Sequence, residues 1–336
     1  GAVGQVVRTA YDDPAGLARV VEGAETVTYE FENVPVGAAR ELEAKLAVRP
    51  PPAALEVAQD RVVEKEAFGE VGIATPLFHP LDLVEDVEAA LEITGLPAVI
   101  KTRRLGYDGK GQAVVANLEE ARACVERLGP GLVAEEFVPF DRELSLIAVA
   151  GLDGEHRFYP LTENHHEGGI LRVSYGPAQH VPESVRAQAE AYGRALIERL
   201  GYVGVLAIEF FLHGDRLLAN EMAPRVHNSG HWTQNGAQVS QFENHIRAVL
   251  GLPLGETGAT GHSVMLNLIG RVPALAELLR VPQAHVHLYG KAPRPGRKLG
   301  HVNVTGHDRG VVLDSAARIA ALAGFSGPLP GPGGRS

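Results

Sequence analysis

Residues 205–237 read VLAIEFFLHGDRLLANEMAPRVHNSGHWTQNGA. The stretch opens as an apolar strand over residues 205–211. His213, Gly214 and Asp215 supply a turn, and residues 216–221 return as a second strand. Two carboxylates, Glu209 and Glu221, interrupt the apolar pair. A three-residue turn sets Glu209 opposite Ala219, with Glu221 one diagonal step away on the same face. Like charges at roughly 4 Å and an effective dielectric near 20 repel by about 4 kcal/mol. A divalent cation removes that repulsion. All-oxygen ligands suit magnesium, which completes its shell with phosphate oxygens and water. Two solvated carboxylates on an exposed face are the alternative, and the apolar flanks weigh against it.

The segment after the hairpin fits neither a helix nor a strand period. Residues 224–234 carry Arg225, His227, Asn228, His231 and Gln234 beside Ser229, Gly230 and Trp232. A loop so dense in hydrogen-bonding side chains is a functional candidate, because scaffolds present their chemistry on loops. The two histidines lie four apart, but no helix face unites them and no thiolate accompanies them, so zinc is disfavoured.

The totals agree with an ordinary globular chain. Its 336 residues suit two or three domains, and 45% are apolar against 21% charged. With 31 basic and 41 acidic residues the formal net charge is −10, which argues against nucleic acid as a partner. One cysteine, Cys124, excludes an internal disulfide and fits a reducing, cytoplasmic setting. It falls on the apolar side of a helical pattern with Leu118, Ala121 and Leu128. No apolar run is long enough to span a bilayer, and no signal peptide opens the chain, so no membrane partner is expected.

Upstream, residues 26–31 read as a strand and residues 13–22 and 37–46 as helices, the remnant of an α/β domain. The sequence YEFENVP at 29–35 is either the ligand-facing end of that strand or a cap and turn. A helix over residues 59–69 puts Arg61 in its first turn. A cation is unfavourable there unless it meets an anion or pairs with Glu64 or Glu66. Residues 97–101 form a buried strand ending in Lys101. The loop RRLGYDGKGQ at 103–112 and a strand at 113–116 follow. Its glycines let backbone N–H groups surround a phosphate, although neither a P-loop nor a dinucleotide fingerprint is present. Residues 132–138 are a strand with Glu135 and Glu136. The linker after it can offer backbone groups to an adenine edge, and Glu143 can accept from ribose hydroxyls. Asn164, His165 and His166 cluster before Gly168, and adjacent strand histidines face opposite ways, so at most one enters a site. Beyond residue 255 short strands predict a small β-rich domain. There Lys291, Arg294, Arg297 and Lys298 make a basic turn suited to a substrate phosphate.

The ordered set YEFENVP, GYDGKGQ, FYPLTENHHEGGILR, APRVHNSGHWTQNGA and RPGRKLGH resembles the 5-(carboxyamino)imidazole ribonucleotide synthases, ATP-grasp enzymes of purine biosynthesis. The resemblance covers residues 29–305. It implies a multidomain α/β and α+β fold. Its parts are an incomplete amino-terminal α/β domain at 1–60, an ATP-grasp domain at 61–251, a β-rich carboxy-terminal domain at 252–326 and a disordered tail at 327–336. The implied reaction is carboxylation of 5-aminoimidazole ribonucleotide with bicarbonate and ATP, through carboxyphosphate, by a homodimer. ATP is expected on Arg61, Lys101, Gly106, Tyr107, Asp108, Gly109, Lys110, Gly111, Gln112, Glu135, Glu136, Phe137, Val138, Glu143, His166, Asn220 and Glu221. Magnesium is expected on Glu209 and Glu221, and the ribonucleotide phosphate on Arg225, Lys291 and Arg297. Tyr107, Asp108, Arg225 and Asn228 are the candidate catalytic residues. The family pattern also carries an earlier strand and glycine-rich loop, which this sequence does not contain. The remaining alternatives are another ATP-grasp ligase or a nucleotide-binding module without catalysis.

Overall fold

Period-two apolar segments pair into two antiparallel sheets that face each other across a cleft. The computed structural model describes residues 4–106, 111–325 and 327–333. The small sheet holds β1 (Phe78–Leu81), β2 (Ala98–Thr102), β3 (Gln112–Val115) and β4 (Leu132–Glu136), in the order β1-β4-β2-β3. Helices Val87–Thr94 and Leu118–Leu128 cover it, burying Leu81, Val87, Ile100, Cys124 and Leu132. Gly111 closes the glycine-rich loop onto β3 with φ +73°, and a Cβ there would stand 2.8 Å from Thr102 Oγ1. Both facts call for glycine.

The large sheet is built from β5 (Arg142–Ala150), β6 (His156–Phe158), β7 (Thr162–Glu167), β8 (Ile170–Gly176), β9 (Gly204–His213), β10 (Arg216–Ala223), β11 (His262–Ile269), β12 (Ala284–Leu288) and β13 (Lys298–Gly306). Eight run in the order β10-β9-β5-β7-β8-β11-β13-β12, and β6 pairs with β5. The short strands expected beyond residue 255 therefore continue this sheet through the β8–β11 pair. Helix Glu183–Leu200 packs on one face with Leu144, Leu146, Ile208 and Phe210. Helix Arg309–Ala323 packs on β11 and β13 through Val312, Ala316 and Ile319.

Three expectations change. Residues 26–31 form no strand; Val27 makes a single parallel bridge to Val48, and without a partner along its length a strand does not form. Ahead of the helix expected over residues 59–69 stands a further helix, Pro52–Ala58, where no element was expected, because proline is tolerated in a first helical turn. Residues 327–333, expected without fixed structure, make contacts. Gly333 N–H donates to Glu163 at 2.9 Å, and Tyr175 Oη donates to Pro330 O at 2.6 Å.

A candidate active site between two clefts

The carboxylate hairpin differs from its expected geometry. Its turn has two residues between His213 and Arg216, which pair directly. Ala219 pairs with Phe210, and the next pair is Glu221 with Glu209, so Asn220 is an extra residue. The two carboxylates are direct cross-strand neighbours rather than diagonal ones.

They stand where two clefts meet. The smaller, about 340 Å³, lies between the sheets and is lined by Lys101, Gln112, Glu135 to Val138, Glu143, Phe211 and Asn220. The larger, about 690 Å³, is lined by Glu30 to Asn33, Glu64, Arg103, Arg225, His227, Asn228 and Lys291. Arg61, Gly106, His166, Gly169, Glu209 and Glu221 line both. A group bound in one cleft can therefore reach a group bound in the other at this shared wall.

Charge at the wall is tightly arranged. Asp60 caps helix Arg61–Glu70, accepting from Val62 N–H, and also pairs with Arg103 at 3.0 Å. Arg61 Nη1 lies 3.1 Å from Glu221 Oε2, so the anion paired with this helix start is a carboxylate from β10 rather than one along its own helix. Burial works against the Arg61 charge, but Glu221, Glu135 and Glu64 more than offset it. Burial also works against an ionised Glu221, yet Arg61 and Lys101 hold it below the usual carboxylate range. Burial pushes Glu209 up to about 7, with His166 opposing and Glu221 adding to the rise. Asn220 Oδ1 is buried without a hydrogen-bond partner. Its amide oxygen and the two carboxylates are the oxygen donors a hard cation would use. Among the described residues no cluster of three or more His, Cys, Asp or Glu is set to hold a metal.

His166 alone of the histidine pair lines the clefts, because adjacent residues of β7 point to opposite faces of the sheet. Its Nδ1 lies 2.8 Å from Glu143 Oε2. Burial opposes the imidazolium, but Glu143, Glu209 and Glu221 hold its pKa up at about 9. A raised folded-state pKa means stability fully present below the unfolded value of 6.5 and lost as pH rises through about 9. The expected contribution is about 3 kcal/mol at most. In denaturant titrations the stability gap between the wild type and His166→Asn should narrow steadily from pH 6 to pH 10, and a constant gap would refute the assignment.

Other expected residues have different surroundings. Glu135 is fully enclosed, with Lys101 Nζ at 2.7 Å and Lys65 Nζ at 3.4 Å. Burial opposes its charge, but the two lysines hold its pKa at about 2. Its carboxylate thus holds both lysines in place at the wall of the smaller cleft. Glu136 accepts from Leu77 N–H at 3.2 Å. Arg225 pairs with Glu32 at 2.7 Å, which draws the YEFENVP stretch into the larger cleft. Asn228 Oδ1 accepts from Lys298 and, at 3.2 Å, from Asn267 Nδ2. Lys291 reaches the larger cleft, but Arg297 lines neither cleft and donates to Ala292 O at 3.3 Å. The turn geometry points Lys298, not Arg297, toward the functional loop. His227 accepts from Ser229 N–H, and burial beside Arg225 lowers its pKa to about 3, so it stays neutral. Tyr107, Asp108, Gly109 and Lys110 lie outside the described residues.

Glu64 and Lys65 were not predicted as site residues, and Glu32 and Lys298 were named only within the YEFENVP stretch and the basic turn. For the first two a signal existed: they follow Arg61 by three and four positions, and so share its helix face.

Comparison with known proteins gives a consistent result. Residues 66–242 match the ATP-grasp domain, residues 1–59 the ribonucleotide synthetase preATP-grasp domain, and residues 263–315 the phosphoribosylaminoimidazole carboxylase C-terminal domain. The N5-carboxyaminoimidazole ribonucleotide synthase of Pseudomonas aeruginosa is 46% identical over 321 residues, covering 95% of this chain and 88% of that protein. The crystal structure of N5-carboxyaminoimidazole ribonucleotide synthetase from Thermus thermophilus superposes with a TM-score of 0.94 at 54% identity, covering 98% of this chain and 90% of that one. The Aspergillus clavatus synthase in complex with ADP and 5-aminoimidazole ribonucleotide gives a TM-score of 0.88 at 28% identity, covering 94% and 86%.

Proposed function

Because this chain belongs to the N5-carboxyaminoimidazole ribonucleotide synthase family, ATP-grasp ligases of purine biosynthesis, we propose that it carboxylates 5-aminoimidazole ribonucleotide with bicarbonate and ATP. The observation that carries this reading is the wall shared by the two clefts, formed by Arg61, His166, Glu209 and Glu221. A phosphoryl donor in the smaller cleft and an acceptor in the larger one meet only there.

In the proposed reaction a bicarbonate oxygen attacks the γ-phosphorus of ATP. The bond to the bridging oxygen breaks, and its electron pair leaves on ADP. The resulting carboxyphosphate meets the exocyclic amine of the ribonucleotide. A C–N bond forms, the C–O bond to phosphate breaks, and the amine gives up a proton. Such transfers depend on positioning and charge neutralisation rather than on covalent help from the protein. The adenine is proposed to lie against the linker after β4, with Glu143 near the ribose. Lys101, His166 and Arg61 supply positive charge to the phosphates, with Gly106 and Gln112 beside them. Arg225 and Lys291 are proposed to face the ribonucleotide, with Asn228, held by Lys298, beside the bicarbonate.

The donor set at the junction fits magnesium. Glu209 and Glu221 are half-buried carboxylates paired across the hairpin, and the buried Asn220 amide oxygen has no partner. The bound ion would supply neutralisation of charge on the transferring phosphoryl group.

The test is ADP release with magnesium, bicarbonate and 5-aminoimidazole ribonucleotide, run beside Glu209→Ala. Ribonucleotide-dependent ADP in the wild type, reduced by at least about a hundredfold in the variant, is expected. ATP binding without any stimulation by the ribonucleotide would overturn the substrate assignment.

A further inference from the structure

Asn220 is the residue that decides which way Glu221 points. If β9 and β10 kept the register of the Ala219–Phe210 pair, Glu221 would oppose Ile208. Ile208, Phe210 and Met222 belong to the apolar core beneath the sheet. One extra residue moves Glu221 opposite Glu209 and leaves Met222 opposite Ile208. The bulge thus places a second carboxylate at the cleft junction.

A bulge leaves backbone groups unpaired, and β10 is an edge strand of its sheet. Those groups are met by one helix and the segment just after it. Ala219 N–H donates to Ala74 O at 2.7 Å. Asn220 O accepts from Lys65 Nζ at 3.4 Å. Arg61 pairs with the Glu221 side chain at 3.1 Å. Met222 N–H donates to Glu64 Oε1 at 2.6 Å, the shortest of the four. Glu64 is 2% exposed, so this bond is shielded from water.

We propose that Glu64 is a positioning residue for the reaction: by accepting from Met222 N–H it fixes the bulge that aims Asn220 and Glu221 at the junction. The inference rests on the proposed function of that site; Glu64 also lines the larger cleft, and the role proposed for it runs through Met222 N–H. A displacement of about 1 Å in such groups can lower turnover about a hundredfold.

Two conservative variants separate this role from the obvious rival, in which Glu64 acts through its charge beside Arg61. Glu64→Gln keeps an acceptor oxygen at the same reach and removes the ionisable carboxyl, whose pKa burial pushes up to about 8. Glu64→Asp keeps the carboxyl and withdraws the oxygen by one methylene. We expect Glu64→Asp to lower kcat by at least about tenfold with KM for ATP changed less than about threefold. We expect Glu64→Gln to stay within about threefold of wild type. Hydrogen exchange supplies a readout independent of turnover: the Met222 amide should exchange at least about tenfold faster in Glu64→Asp and not in Glu64→Gln. Phe68→Leu, a core change on the same helix, serves as a stability control and should leave kcat within about twofold. Glu64→Asp retaining wild-type kcat, or Glu64→Gln losing as much as Glu64→Asp, would overturn the proposal. Failure of the functional reading looks different, because the wild type itself would then show no ribonucleotide-dependent ADP.

Discussion

Replacing Glu221 with alanine is expected to lower ribonucleotide-dependent ADP formation on the order of 10³-fold in a protein that still folds. Glu221 is the group with most to do at the junction. It faces Glu209 across the hairpin, pairs with Arg61 at 3.1 Å, and lines both clefts. Its removal takes away half of the carboxylate pair proposed to hold magnesium. It also frees Arg61 to swing toward Glu64 or Glu135, which already stabilise its charge. That second partner set is why folding should survive. Glu221→Gln discriminates the roles: it can still accept from Arg61 but is a poor ligand for a hard cation. Turnover above about a tenth of wild type in Glu221→Gln would mean that Glu221 serves only to hold Arg61.

Glu135→Ala is expected to destabilise the protein by about 3–5 kcal/mol, the range for breaking a buried ion pair from one side. Lys101 and Lys65 both point at this carboxylate, and Lys65 is 1% exposed. Without it two enclosed ammonium groups stand beside Arg61, and their only relief is deprotonation or rearrangement. The midpoint of thermal unfolding should fall by roughly 10 °C. A scan showing a fall under about 2 °C would show that water or Glu221 already compensates the lysines. ATP affinity should also drop, since Lys101 would no longer be aimed into the smaller cleft.

The identity of the site was legible in short, chemically dense segments. Glu209 and Glu221 stood out because carboxylates in an apolar hairpin need a reason, and both reached the junction. Lys101, ending a buried strand, and His166, one of two adjacent histidines, were legible for the same reason. The helix expected over residues 59–69 forms as Arg61–Glu70. Helix and strand periods gave most elements, since burial of one face imposes them.

Partnership was not legible, because it depends on groups far apart in the chain. The sequence suggested a three-residue turn, whereas the fold uses two residues and an extra one at Asn220. Both arrangements put the carboxylates on one face, so local pattern could not distinguish them. Helix Arg61–Glu70 does so by hydrogen-bonding to residues some 155 positions away. Glu135 stood in a strand with no partner in view, and only the convergence of Lys65 and Lys101 from two other elements revealed its ion pairs. Likewise the basic turn offered four cations, and tertiary packing brought Lys298 to Asn228 and Lys291 to the cleft while leaving Arg297 aside. Residue chemistry and spacing specify which side chains are costly to bury and so must be compensated. The tertiary structure alone decided which group compensates which, because Coulomb and hydrogen-bond energies depend on distance in space and not along the chain.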